Sequence, residues 1–359
     1  PTNDQSGILN VLDDDKAQSV IELLNVEEQE GIAEIMGYPD DSAGLLMNTE
    51  VFTLHESITA GEAIKTLQDQ ENAEMVFYLY ITDNDDRLVG VISLRALTTT
   101  PSSTNLKDIM IKNVHSIRPE TDQEDVARIV AQYNFLAVPV LDSDSKLLGI
   151  VTVDDVVDVI REEATEDFLQ MAGAGKDREI LLKSSWENAK ARLPWLFASW
   201  VGGIIAASLI GVFENMLENI IALAAFIPVI LGMGGNIATQ SSTIIVRGMA
   251  TGRVNEGGEI KLILKEVQVG IMLGILYGIL LGVFARFTFS EAPDNLGFVV
   301  GLSICVSMIV AATVGTIIPL ILRKLDIDPA IATGPFVTTS IDILGVLFYF
   351  MIAGFFLSI

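Results

Sequence analysis

Five long apolar runs in the second half of the chain constrain its fold more than any other feature. A helix needs about 20 apolar residues to cross the hydrocarbon core of a bilayer. Five segments approach or exceed this length: 195–213, 219–246, 267–285, 296–322 and 329–358. They contain neither Lys nor Arg, and Asp342 is their one carboxylate. The sequence therefore predicts an all-α membrane domain of five transmembrane helices over residues 195–359.

Charge is distributed unevenly between the two parts of the chain. Residues 1–194 carry 37 acidic and 15 basic side chains, whereas residues 195–359 carry 10 and 7. An acidic surface repels the phosphates of nucleic acid, so nucleic acid is not an expected partner. Cations are the expected partners of such a surface. We expect the first part to be a water-soluble acidic module and the second to contact membrane lipid.

Basic residues between the runs predict the orientation in the membrane. Cytoplasmic loops are enriched in Lys and Arg. Such residues precede the first run and separate the second from the third and the fourth from the fifth: Lys190, Arg192, Arg247, Arg253, Lys261, Lys265, Arg323 and Lys324. The chain is therefore expected in the cytoplasmic membrane, with its N-terminal half in the cytosol and its C-terminus outside.

Asp342 lies deep in the last run. It is about 13 residues from the start of the run, which is roughly 20 Å along a helix. A charged Asp at the centre of a membrane helix costs about 2.5–3.5 kcal/mol, so such residues usually serve a function. Gly334 and Pro335 precede it and are expected to interrupt the helix and free backbone carbonyls. The alternative is a protonated Asp342 that is hydrogen-bonded between helices.

A second polar stretch lies at mid-membrane depth in the second run. Three glycines follow Pro228, and the segment is expected to interrupt its helix beside a water-filled cavity. The candidate pore-lining residues are Gly234, Gly235, Asn236, Thr239 and Gln240. Hydrogen bonding between helices is the alternative explanation for this polarity.

These two stretches resemble the signature segments of the MgtE magnesium channels. They read PVILGMGGNIATQSSTIIVRGMATG (228–252) and DPAIATGPFVTTSIDILGVLFYF (328–350). The resemblance implies a homodimer whose second and fifth spans line the pore. It also implies that Asp342 binds hydrated Mg²⁺, with Thr338 and Gly334 one and two turns earlier in the same site.

Residues 47–160 contain two similar blocks with a period of about 62 residues. Each block has an apolar strand, an Asp-rich turn, a second strand that contains Gly90 or Gly149, and a helix start. The pattern resembles a tandem CBS pair, an α/β fold. The resemblance implies at most one adenine-nucleotide site, for ATP, at Thr152 and Asp155. A pair used only for dimerisation and gating is the alternative.

The remaining segments are short. Residues 1–46 are expected to be a residual helical N-terminal segment, and residues 161–194 an acidic linker followed by a connecting helix. Carboxylates recur at helical spacing around the start of this linker, where they repel one another and favour a bound divalent cation. The candidate metal ligands are Asp155, Asp158, Glu163, Glu166 and Asp167, which Asp328 joins at the start of the last span. An ordinary solvated acidic helix is the alternative.

Together with the sequence patterns, the resemblance implies a homodimeric Mg²⁺ channel that closes when cytosolic Mg²⁺ binds its acidic half. No constellation of catalytic residues is visible, so an enzyme is not expected. Two alternatives stay open: a carrier that exchanges Mg²⁺ for sodium or protons, and a membrane-anchored nucleotide sensor that transports nothing.

Overall fold

The computed structural model describes residues 35–69, 77–175, 180–254, 257–325 and 327–357. The chain divides into two compact units, Pro1–Glu163 and Ala164–Ile359. Most of the predicted N-terminal segment, 1–46, lies outside the described residues.

The first unit repeats one α/β pattern twice. Its strands are β1 (Thr53–His55), β2 (Tyr78–Thr82), β3 (Leu88–Ser93), β4 (Ala137–Leu141) and β5 (Leu147–Thr152). In the first copy β1 is parallel to β2, and β2 is antiparallel to β3. In the second copy β4 is antiparallel to β5, and Ile117 forms a parallel bridge to Val140. Ile117 therefore takes the place of β1, and the predicted tandem CBS pair is confirmed.

The two hairpin turns show the repeat at the level of single hydrogen bonds. Asp83 Oδ1 accepts from the backbone N–H groups two and four residues later, at 2.9 and 3.0 Å. Asp142 Oδ1 does the same at 2.9 and 2.8 Å. An Asp side chain that bonds the backbone ahead of it stabilises a tight turn, which explains the Asp-rich segment in each block.

Six described helices accompany these strands: α1 (Ala43–Leu46), α2 (Ala60–Gln68), α3 (Leu94–Thr99), α4 (Leu106–Ile109), α5 (Gln123–Tyr133) and α6 (Val153–Met171). Each repeat has its own apolar core. Leu79 and Ile81 are fully buried in the first, and Val138 and Val140 in the second. These residues alternate along their strands, so one face of each hairpin packs against the helices.

Among its described residues the second unit has five helices that are long and apolar enough to cross a membrane. They are α7 (Ser185–Val212), α9 (Ala222–Ala250), α10 (Glu259–Thr288), α11 (Leu296–Lys324) and α12 (Pro335–Leu357). A short helix, α8 (Glu214–Asn219), joins the first two. The predicted membrane domain of five helices is thus confirmed. The boundary expected between residues 194 and 195 falls inside α7, which continues through Pro194.

The interruption expected in the second span is wrong. Helix α9 runs unbroken from Ala222 to Ala250, through Pro228 and all three glycines. A Cβ on Gly234 would lie 2.9 Å from Ile341 Cγ2 and 3.1 Å from Ser307 Oγ. This glycine therefore allows neighbouring helices to approach closely, and it does not break the helix.

Helices α10 and α11 are packed against each other through glycines. A Cβ on Gly282 would lie 2.6 Å from the carbonyl oxygen of Gly297, and one on Gly278 would lie 2.7 Å from that of Gly301. Small residues at four-residue spacing let two membrane helices touch through their backbones. The glycine row of α10 is therefore explained by packing alone.

Candidate functional site

The last span is divided at its start, as the Gly-Pro pair predicts. A 3₁₀ helix (Pro329–Thr333) comes first, and α12 begins at Pro335. Asp328 caps the 3₁₀ helix, because its Oδ1 accepts from the N–H of Ala330 at 2.8 Å. The capping carboxylate and the Gly334 junction together fix where the long helix begins.

Gly334, Thr338 and Asp342 follow one another at four-residue intervals, so they share one face of the chain. The Thr338 hydroxyl donates to the carbonyl oxygens of Gly334 at 3.4 Å and Pro335 at 3.3 Å. Asp342 is half-buried. Its carboxylate makes no hydrogen bond or ion pair with any residue that the structure describes. The alternative of an Asp342 hydrogen-bonded between helices therefore finds no support within one chain.

The polar residues of α9 divide between two faces. Asn236 and Gln240 are exposed, one turn apart, whereas Gly234 is buried against α11 and α12. Gly235 and Thr239 are half-buried, and the Thr239 hydroxyl donates to the Gly235 carbonyl oxygen at 2.9 Å. In the described chain neither Asn236 nor Gln240 has a side-chain hydrogen bond. This exposed polar face lies on a helix otherwise suited to lipid, so it requires water or a protein partner.

The pore-helix candidates α9 and α12 touch next to the lone carboxylate. Gly234 of α9 faces Ile341 of α12, the residue before Asp342. The contact joins residues 107 positions apart in sequence and brings the two predicted signature stretches together in the fold. A carboxylate with neutral polar groups on a neighbouring helix suits a cation that keeps its own water shell.

All the predicted acidic ligands before the membrane unit lie on α6. Asp158 is exposed, and Asp155, Glu163, Glu166 and Asp167 are half-buried. Gln123 donates to Glu163, and Gln170 donates to Glu166 at 3.0 Å. Within the described residues, no three His, Cys, Asp or Glu side chains are grouped closely enough to hold a metal ion. One chain by itself therefore does not form a closed metal cage on this helix.

The end of α6 contacts the start of the pore-helix candidate α12, which the sequence did not reveal. A Cβ on Gly334 would lie 3.6 Å from the Gln170 carbonyl oxygen and 3.7 Å from that of Met171. Gly173 packs against Pro335 in the same way. Gln170 is 1% exposed, and Met171 packs on an apolar cluster of α9 and α11. The acidic helix therefore ends in direct contact with the Gly334 junction.

Thr152 and Asp155 are adjacent in space, as their spacing predicts. The Thr152 hydroxyl donates to the Asp155 carboxylate, and the Thr152 N–H lies 3.4 Å from the same oxygen. Thr152 ends β5 and Asp155 lies in the first turn of α6, so the carboxylate reaches back to the residue before the helix, as the acidic member of a capping box does. The pair offers a hydroxyl and a carboxylate at a strand-to-helix junction, which is chemistry suited to a ribose.

A buried carboxylate in α10 was missed. Glu266 is 6% exposed, and its Oε2 accepts a 2.8 Å hydrogen bond from Ser241 of α9. The predicted third run began at residue 267, so Glu266 was placed in a loop. A helix that starts at Glu259 instead carries it into the second turn and against α9. Its position one residue before an apolar run was the available signal.

Comparison with known proteins was made against both sequences and structures. Residues 227–352 match the MgtE family, described as a divalent cation transporter, and residues 43–101 and 106–162 match CBS domains. The chain is 38% identical over 331 residues to the magnesium transporter MgtE of Bacillus subtilis (strain 168), covering 92% of this chain and 73% of that protein.

One further relative and one solved structure are similar to this chain. The magnesium transporter MgtE of Enterococcus faecalis is 39% identical over 332 residues, which is 92% of this chain and 72% of that protein. The crystal structure of the cytosolic domain of the Mg²⁺ channel MgtE in complex with ATP is 36% identical, with a TM-score of 0.43, over 44% of this chain and 65% of that one. The extent of the sequence match shows that this chain belongs to the MgtE family of divalent cation transporters.

Proposed function

We propose that this protein is a homodimeric channel that conducts Mg²⁺ through the cytoplasmic membrane. The observation that carries the proposal is Asp342, a carboxylate on a membrane helix with no partner among the described residues. The relatives of this protein in Bacillus subtilis and Enterococcus faecalis are magnesium transporters by name, which favours Mg²⁺ among the divalent cations.

A single carboxylate per subunit suits this ion. Mg²⁺ is small and loses its water reluctantly, so it is usually held through few carboxylates and several retained waters. Asp342 supplies charge, while the Gly334 carbonyl oxygen and the Thr338 hydroxyl lie on the same face for hydrogen bonds to bound water. We propose that the ion passes hydrated, with Asp342 from each subunit facing it.

The exposed polar face of α9 supports a dimer with a water-filled interface. Asn236 and Gln240 would face hydrocarbon in a single chain, where their amides would have no hydrogen-bond partner. A second copy that places the same face opposite removes this penalty, since the two faces then enclose water. We propose that Asn236, Thr239 and Gln240 of both copies line this passage together with Asp342.

The proposed orientation follows from the basic residues. Arg247 is in the last turn of α9, and Arg323 and Lys324 end α11. Lys324 donates to Glu259 at the start of α10 at 2.9 Å, so these helix ends lie on one side of the unit. We assign this side to the cytosol, which places the N-terminal unit inside the cell and the C-terminus outside.

Regulation by cytosolic Mg²⁺ is proposed for the acidic helix α6. Its carboxylates repel one another when no cation is bound, and bound Mg²⁺ would hold them in a compact arrangement. The contact of Gln170 and Met171 with Gly334 supports the coupling, because any movement of α6 acts on the start of the pore helix. Asp328, which caps the 3₁₀ helix before this junction, is the proposed additional ligand.

A nucleotide is proposed at Thr152 and Asp155. The two side chains lie at the end of a strand and the start of α6, so an occupied site would stabilise the same helix that carries the acidic residues. We propose that ATP binds there and biases the response to Mg²⁺, with no chemical step.

The test of the main proposal is Mg²⁺ flux into liposomes that contain the purified protein and an Mg²⁺ indicator. A channel gives flux that follows an imposed membrane potential, without any sodium or proton gradient. Flux that requires such a gradient would support an exchanging carrier and overturn the proposal. Equal flux in protein-free liposomes would favour a sensor that transports nothing.

A further inference from the structure

The buried carboxylate of Glu266 has no role in the proposed permeation path. It belongs to α10, which carries none of the candidate pore residues, and only 6% of its surface is exposed. A carboxylate inside a membrane domain costs free energy, so such a residue usually serves a function. Its described partner is Ser241, 2% exposed, which follows Gln240 directly in α9.

Two contacts fix how α9 is rotated about its axis near this point. Gly315 of α11 lies so close to the Ala238 carbonyl oxygen that a Cβ on this glycine could not be accommodated. One turn later, the Ser241 hydroxyl donates to Glu266 of α10 at 2.8 Å. Ala238 and Ser241 are thus held on the buried face of α9, and Gln240 stays on the exposed face.

We propose that Glu266 is a positioning residue, which acts through Ser241 to hold the polar face of α9 toward the ion path. The inference rests on the proposed function, because it assigns that path to the face of Asn236 and Gln240. A helix advances by about 100° per residue, since 3.6 residues complete a turn. A rotation of that size would replace Gln240 at the path by its neighbour and bury the amide.

The hydrogen bond is suited to this role because both of its partners are buried, with 2% of Ser241 and 6% of Glu266 exposed. Inside a membrane domain a hydroxyl that loses its acceptor finds no water to replace it. Ser242, the next residue, is fully buried, and its hydroxyl has no hydrogen-bond partner in the part of the chain that the structure describes. Without Glu266, the buried face of α9 would therefore carry two neighbouring hydroxyls without partners. A rotation of the helix that brings a hydroxyl to water would then lower the free energy.

The first test measures the rotation of α9 directly. Cys305, the one cysteine of the chain, is first replaced by Ala. Single cysteines are then introduced by Gln240→Cys or Ser242→Cys, and the full-length protein in liposomes is treated with a membrane-impermeant thiol reagent. With Glu266 intact we expect rapid labelling at position 240 and protection at position 242.

The expected change is a shift between these two positions. A hydrogen bond between membrane helices biases an equilibrium by about three- to tenfold. In Glu266→Ala the labelling rate should therefore rise by about that factor at position 242 and fall at position 240. Glu266→Gln keeps an acceptor oxygen for Ser241 and should keep the original pattern. An unchanged pattern in Glu266→Ala would overturn the proposal.

Mg²⁺ flux supplies the second readout. Glu266→Ala should reduce flux at saturating Mg²⁺, whereas Glu266→Gln should retain it. If both variants lose flux equally, the charge matters and not the hydrogen bond, and the positioning role is wrong. Labelling needs no transport, so a failed flux assay in the wild type would count against the proposed function while the labelling pattern still decides the role of Glu266. A variant that elutes as an aggregate is replaced by Ser241→Ala, which removes the donor of the same bond.

Discussion

Helices α6 and α12 carry carboxylates in opposite ways. Asp342 is a lone acid in α12, among apolar residues, whereas α6 has five candidate ligands within 13 positions, all half-buried or exposed. The difference follows from the solvent. A charge inside the bilayer costs free energy, which fits the single carboxylate of α12. Charged side chains in water keep their hydration, so a helix can carry many carboxylates that repel one another only weakly.

This contrast underlies the proposed separation of permeation from sensing. A site that passes ions must release them, so a single charge and retained water are sufficient. A sensor must shift a conformational equilibrium, and moving it from 1:99 to 99:1 takes about 5.5 kcal/mol of differential binding. Several weak sites supply this together, which is what a row of acids on α6 offers. The predictions below test whether the two helices have these separate tasks.

The largest effect is expected from Asp342→Asn. The variant keeps the shape of the side chain and removes the charge from each subunit, so an Mg²⁺ ion loses its main electrostatic attraction in a region of low dielectric. We expect Mg²⁺ flux into liposomes to fall by at least about a hundredfold, with dimerisation unchanged on size-exclusion chromatography.

The matched control for this variant is Asp294→Asn. Asp294 is an exposed acid in the same unit that pairs with Arg286 at 2.9 Å, and a surface ion pair contributes little. Flux of the control should match the wild type. Wild-type flux in Asp342→Asn would instead exclude this residue from the ion path.

The second effect concerns α6. Replacing Glu163 and Glu166 by Gln and Asp167 by Asn removes three of the proposed Mg²⁺ ligands, so bound Mg²⁺ favours the closed state less. The cytosolic Mg²⁺ concentration that halves the current should therefore rise by about tenfold. Protection of segment 154–175 from protease by Mg²⁺ should be lost in parallel.

A charge-matched control separates specific ligands from overall acidity. Glu50→Gln, Glu120→Gln and Asp144→Asn change the same number of exposed acids elsewhere in the first unit. This variant should close at the wild-type concentration. If the α6 variant does so as well, α6 is an ordinary solvated helix and the sensor lies elsewhere.

Much of this arrangement could be predicted from residue patterns, and the failures have a common cause. Apolar run length identified the five membrane helices, and the Gly334–Pro335 pair correctly marked a break, because Pro335 takes the first position of α12, where its missing N–H leaves no hydrogen bond unmade. The same reasoning failed for the glycines of α9, where Gly234 is used for a close contact with α11 and α12. Whether a glycine breaks a helix or permits packing depends on the neighbouring helix, which local sequence does not show.

The contacts missed in the site are also long-range ones. Glu266 and Ser241 are 25 positions apart, and Gln170 lies 164 positions before Gly334. The sequence spacing of neither pair predicts a contact, because both contacts depend on how the helices of the second unit pack together. Asp342 is the single carboxylate of its own span, but the prediction overlooked Glu266 in α10, which contacts α9.

Asp155 belongs to both proposed sites of α6, the nucleotide site and the Mg²⁺ site. Its substitution therefore tests the nucleotide site against a neighbouring acid of the same helix, with a smaller expected effect. Its carboxylate accepts from Thr152, whereas Asp158 is exposed one turn later. In titrations of the full chain with ATP, Asp155→Ala should weaken binding by about tenfold, the loss expected when a hydrogen bond to a charged group is removed. Asp158→Ala should leave ATP affinity unchanged. No binding of ATP to the wild type would favour a CBS pair that serves only for dimerisation and gating.

The smallest effect is expected from Thr338→Val, which tests how much neutral oxygen contributes beside the charge of Asp342. Valine has nearly the shape of threonine and lacks the hydroxyl, so the helix should be maintained. The Thr338 hydroxyl already donates to the carbonyl oxygens of Gly334 and Pro335, at 3.4 and 3.3 Å. Its lone pairs therefore remain available to accept hydrogen bonds from the water shell of a passing ion. A water-mediated hydrogen bond of this kind contributes modestly, and we expect flux to fall by about three- to fivefold.

Thr339→Val, one position away on the same helix, serves as the matched control and should change flux less. A loss in Thr338→Val as large as that in Asp342→Asn would mean that the ion sheds water and binds the hydroxyl directly, contrary to a hydrated passage.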